Sequence, residues 1–70
     1  MPGRFVETIK DVYLYKDVWR SDVGARACIR QYTPCLVVSC LSTMFYADLI
    51  YVLCHGQFGW ALSTDFEVIT

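Results

Sequence analysis

The chain has 70 residues, 56% hydrophobic and 19% charged, with a formal net charge of −1. That length allows one domain at most, and a soluble domain so small is marginal without disulfides, metal or a partner. The near-neutral balance lacks the basic footprint of a nucleic-acid-binding protein, so nucleic acid is excluded as a partner.

The balance hides an asymmetry. All six cations (Arg4, Lys10, Lys16, Arg20, Arg26 and Arg30) lie in residues 1–30, beside Glu7, Asp11, Asp17 and Asp22, for a net +2. Residues 31–70 carry only Asp48, Asp65 and Glu67, a net −3. Charge divided by an apolar run is the pattern of a positive-inside membrane protein.

Residues 1–33 read as an amphipathic, interfacial N-terminal segment. From Phe5 to Arg20 a helix and a strand compete. On a helical wheel Phe5, Val6, Ile9, Val12, Tyr13 and Trp19 share one face, with Lys16 and Arg20 placed to snorkel. Against that, DVYLYKDVW is rich in β-branched and aromatic residues, a strand signal. The helix is preferred. Residues 21–33 connect it to the apolar run, and Trp19, Arg26, Arg30 and Tyr32 are expected as interfacial anchors.

The run CLVVSCLSTMFYADLIYVL, Cys35 to Leu53, has Asp48 as its one charge. Pro34 opens it at a position where a helix does not need the N–H. A bilayer core of ~30 Å takes about 20 apolar helical residues, and Leu36 to His55 supply twenty. The expected fold is therefore all-α and membrane-bound. It has a single transmembrane helix over about 35–55 (segment 34–56), preceded by the amphipathic helix and followed by a short acidic tail, 57–70. Nine strongly apolar residues contribute about −3 to −5 kcal/mol to insertion and a central Asp reverses about 3. The near-zero sum predicts a helix packed against other helices rather than lipid alone.

Within the helix, Ser39, Thr43 and Ala47 continue a small-residue stripe from Cys35, placed for close helix approach. Asp48 and Tyr51 lie beside it as partner contacts. Met44, Asp48, Tyr51 and His55 share another helical side. If Asp48 is buried there without a cation, it is expected to be neutral. The four cysteines form no paired CxxC, so they read as reduced, small hydrophobes rather than metal ligands. Gly56-Gln-Phe-Gly59 reads as a break or a close contact, and Trp60 as the second interfacial anchor. No arrangement supports catalysis, and no cofactor, metal or small-molecule substrate is expected.

This layout resembles the supernumerary single-pass subunits of mitochondrial respiratory complexes and ATP synthase. The resemblance is architectural, without a diagnostic motif. It implies a non-catalytic accessory subunit of the inner membrane, with its N-terminus on the matrix (or cytoplasmic) side and lipid and other membrane subunits as partners. Two alternatives stand beside it. One is a pigment- or quinone-associated single-pass polypeptide using His55, Tyr46, Tyr51 or Trp60. The other is a small soluble α+β interaction module in which DVYLYKDVW is a strand and the segment from Pro34 is a buried helix or two strands.

Overall fold

The computed structural model describes residues 3–16, 25–41 and 48–69. They form seven strands: β1 Phe5–Thr8, β2 Val12–Tyr15, β3 Ala25–Ile29, β4 Pro34–Leu41, β5 Leu49–Cys54, β6 Gln57–Leu62 and β7 Phe66–Val68. One 3-10 turn, Ser63–Asp65, joins β6 to β7. All pair antiparallel in a single sheet of order β3-β2-β6-β5-β4-β1-β7.

The expected all-α membrane fold is wrong. Among the described residues no helix is long and apolar enough to cross a membrane. The segment read as one span is β4 and β5, with Asp48 just ahead of β5. The amphipathic helix of the N-terminal segment is likewise replaced, by β1 and β2. The single-pass helix, the inner-membrane placement and the orientation built on it are withdrawn.

The sheet is forced to curl. β1 and β2 stand four places apart in the strand order, which is ~19 Å across a flat sheet, yet only Ile9, Lys10 and Asp11 join them. Such a link reaches at most ~14 Å. β6 and β7 are also four places apart and are joined by Ser63–Asp65 alone. Both links therefore cross the open side of a half-barrel, and they meet there. The Ile9 N–H donates to the Asp65 carbonyl (3.0 Å), and Lys10 Nζ lies 3.5 Å from Asp65 Oδ1.

Inside the curl, alternate residues supply one core: Val6, Val12, Leu14, Ile29, Cys35, Val37, Ile50, Val52, Cys54 and Ala61. Cys35 and Cys54 are joined by a disulfide between neighbouring strands, with Cα atoms 4.8 Å apart. This corrects the reduced reading for these two; Cys28 and Cys40 are exposed and outside the bond. A bulge between Val37 and Ser39 shifts the β4 register and leaves Val38 unpaired with β5. β5 turns into β6 over His55 and Gly56, both at positive φ (51° and 78°). Two left-handed residues make the tight turn whose twist suits a hairpin.

Thr8 is the core's polar fixture. Its hydroxyl donates to the Arg30 carbonyl (2.6 Å) and accepts from the buried Thr33 N–H (2.9 Å). Its backbone exchanges further bonds with Tyr32 and Thr33, holding the β3–β4 link around Tyr32 at φ 65°. Thr8→Val keeps the shape and orphans the Thr33 N–H. The expected loss is about 1–3 kcal/mol, read as a lower urea midpoint; an unchanged midpoint would show that the network contributes nothing.

Candidate functional site

Two surfaces are candidates. The first is a recess of about 170 Å³ at the seam where the two crossing links meet. Lys10, Asp11, Val12, Tyr13, Tyr15, Ala61, Leu62 and Asp65 line it. It lies well below the ~300–1,000 Å³ of a small-molecule site. Its charges are also occupied. Lys10 faces Asp65, and Asp11 accepts the Gln31 N–H at 2.8 Å, while Gln31 Nε2 donates to the Ile9 carbonyl. The recess reads as a fastened seam. Among the described residues no group of three or more His, Cys, Asp or Glu is placed to hold a metal.

The second is the outer face of the curled sheet. A strand sends successive side chains to opposite faces, so the residues between the core positions point outward. The strand register aligns them in three rows. One runs Phe5–Leu36–Leu53–Phe58 across β1, β4, β5 and β6. The next runs Ser39–Tyr51–Trp60–Tyr15 across β4, β5, β6 and β2. The third is Leu41–Leu49–Leu62. None of these side chains is charged, and Ser39 is the one small polar member.

The face is ordered by its rings. Tyr51 stacks on Phe58, with centroids 5.7 Å apart and planes 14° apart, and Trp60 leans on Tyr51 at 5.0 Å. Such pairs add stability beyond the area they cover. Leu49 is covered (3% exposed) although it stands outside the interior cluster. Phe5 and Phe58, at the two ends of the first row, remain 49% and 40% exposed. Antiparallel sheets with one face in solvent normally alternate apolar and polar residues. β5, LIYVLC, does not alternate. Contiguous apolar patches are where interaction surfaces are sought, which makes this face the second candidate.

The residues anticipated from sequence fall as follows. Ser39, Tyr51 and Trp60 share the middle row, by strand pairing rather than helical spacing. Cys35, at the head of the small-residue stripe, points into the core while Ser39, past the bulge, points out, so the stripe is not one face. Thr43, Ala47, Met44, Tyr46 and Trp19 lie outside the described residues. Asp48 is exposed, and its carbonyl accepts the Ser63 N–H at 2.9 Å. His55 sits in the hairpin turn, so no Asp48–Tyr51–His55 line exists. Arg30 is exposed and contributes its carbonyl to the Thr8 and Thr33 hydroxyls. Tyr32 is exposed in the β3–β4 link, and Arg26 falls at the irregularity where β3 pairs with β2. Sequence reasoning did not place Phe5, Leu36, Leu53, Phe58 and Tyr15 at the site; in a run apolar on both faces no hydropathy period singles out the outward residues, and the rows form only through strand pairing. Comparison with family models, with curated proteins and with solved structures finds no match for this chain.

Proposed function

We propose that this protein is a non-catalytic interaction module, acting as a subunit of a protein assembly through the outer face of β2, β6, β5 and β4. The observation that carries this reading is the run of three uncharged cross-strand rows on the side of the sheet away from the core. A chain this short has little surface to spare. Devoting the middle of a sheet face to apolar side chains weakens solubility and exposes rings to water, and contact with another protein removes both liabilities. The ring cluster of Tyr51, Phe58 and Trp60 has the composition of binding hot spots, which favour aromatic side chains at the centre of a contact.

The test is a charge on the rim of the cluster. Phe58 is 40% exposed at the start of β6, so Phe58→Glu leaves the core untouched. In extracts of cells expressing the full chain, wild type is expected to migrate in a species larger than the monomer. Phe58→Glu is expected to lose that species while the fold persists, its melting temperature lower by roughly 4–8 °C for the lost stack on Tyr51. A size distribution unchanged by the substitution would refute the reading.

A further inference from the structure

We infer that the edge of β7 is a docking site for an extended segment of a partner protein, which pairs with Phe66–Val68 as an added strand and sets a lysine or arginine opposite Glu67. The site is separate from the outer apolar face, and its failure leaves that reading standing.

β7 ends the strand order, and among the described residues no strand covers its far side. Its bonds to β1 show which backbone groups are open. The Ile69 N–H donates to the Phe5 carbonyl at 2.9 Å, and the Asp65 carbonyl accepts the Ile9 N–H at 3.0 Å. In an antiparallel pair, residues that bond one neighbour alternate with residues that face away from it. Asp65, Glu67 and Ile69 therefore face β1, while Phe66 and Val68 turn their N–H and C=O groups away. The Phe66 N–H is taken by the Ser63 carbonyl. The Phe66 carbonyl and both groups of Val68 remain for a new strand. Edges are normally defended by lysine, proline or a bulge. The stretch FEVI, Phe66 to Ile69, has neither lysine nor proline, and no register shift interrupts its pairing with β1. Val68 and Ile69 are 50% and 49% exposed.

Charge names the occupant. Glu7 stands directly opposite Glu67. Both point to the outer side of the sheet, because Val6 and Thr8, on either side of Glu7, are buried. Bonded partners of this kind have Cα atoms about 5.5 Å apart, and like charges so placed repel. Neither carboxylate has an ion-pair partner among the described residues. The same row continues into a new strand ~4.8 Å beyond β7. A lysine or arginine there stands opposite Glu67, and its stem is long enough to lie back towards Glu7. An acidic residue there would be a third like charge. The neighbouring positions, against Val68 and Ile69, take apolar side chains. The first covers the open side of the half-barrel, and the second extends the Leu36–Phe5 row through Ile69.

Titration of the isotope-labelled full chain with a capped hexapeptide, Thr-Ile-Val-Lys-Val-Thr, tests this by amide-resolved NMR. Run antiparallel to β7, the peptide sets isoleucine, valine and lysine against Ile69, Val68 and Glu67. The comparison is the same peptide with glutamate for lysine. The lysine peptide is expected to shift the Val68 amide and to bind at least about fivefold tighter than the glutamate peptide at low salt, a margin that added salt erodes. Glu67→Lys should reverse the preference and, by ending the repulsion with Glu7, raise the melting temperature. Val68→Pro removes an N–H that faces the new strand and none that bonds β1, a placement at which edge strands accept proline. It should abolish binding of both peptides while the Ile69 amide stays protected from exchange. If Ile69 loses its protection, β7 has come loose and the Glu67→Lys reversal decides alone. A Val68 amide indifferent to ~1 mM lysine peptide, equal affinity for the two peptides, or a preference that Glu67→Lys leaves unreversed overturns the inference. A dimer of the purified chain that Val68→Pro dissociates would seat a second copy on the edge and overturns it likewise.

Discussion

Replacing Gly59 with alanine is expected to cost about 3 kcal/mol and to detach β2 from β6. A Cβ built at Gly59 falls 2.5 Å from the Leu14 Cβ and 3.2 Å from the Leu14 backbone. The first distance is inside contact range, and no rotamer of Leu14 relieves it, because Cβ does not move with χ1. Leu14 is fully buried at the centre of the core, so its backbone has nowhere to retreat. Overpacking of this kind costs about 1–3 kcal/mol, and a backbone collision belongs at the upper end. A chain of 70 residues holds only about 3.5–10 kcal/mol in total. The melting temperature should fall by roughly 15 °C. Gly56 supplies the control. It sits at φ 78° with nothing within 4 Å of its built Cβ, so Gly56→Ala meets only the left-handed backbone penalty of about 1–2 kcal/mol. Equal losses in the two variants would show that β2 and β6 do not approach as closely as described. The pairing at risk is the Tyr15–Trp60 rung, which also joins β2 to the outer apolar face.

The same close approach shows what could be read before the structure. Gly56-Gln-Phe-Gly59 stood out in the sequence as a break or a close contact; Gly56 makes the turn and Gly59 the approach, but between strands rather than at a helix end. The strand reading of DVYLYKDVW was available and was the right one for Val12–Tyr15. Val12 and Leu14 face the core while Tyr13 and Tyr15 face out, an alternation that a helical wheel averages away. Over Cys35–Leu53 the alternation is invisible because both faces are apolar. Ile50 and Val52 point inward and Tyr51 and Leu53 outward, so period two leaves no mark in hydropathy and length alone favoured a span. Asp48 was the discordant residue, costly in a bilayer and ordinary at the start of a strand. The middle row of the proposed site, Ser39–Tyr51–Trp60, was composed of named residues placed by the wrong geometry. Its continuation to Tyr15, and that of the first row to Phe5, depend on β2–β6 and β1–β4 pairings between distant parts of the chain, which no local pattern encodes.

The cysteines carry that contrast to its largest scale and to the second large effect. Along a helix, Cys35 and Cys54 would stand ~28 Å apart at 1.5 Å per residue; in the sheet their Cα atoms are 4.8 Å apart and their sulfurs are bonded. A separation of 19 residues closes a loop whose removal from the unfolded ensemble stabilises by about 3 kcal/mol, comparable to the whole stability of a weak small domain. Both sulfurs lie in the core, with Cys35 2% and Cys54 0% exposed. Cys35→Ala with Cys54→Ala is therefore expected to lower the urea midpoint sharply. Native protein treated with iodoacetamide without reductant should take up two labels, at the exposed Cys28 and Cys40; four labels would show the bond absent. Reductant should act slowly on native protein and faster as urea rises, since thiolate attack needs the core to open. The bond also lies one residue from the Leu36–Leu53 rung of the outer face. Cutting it frees β4 to shift against β5, and a one-residue slip would turn the apolar rows inward. Reduced protein should accordingly lose the larger species seen in extract before it loses its sheet.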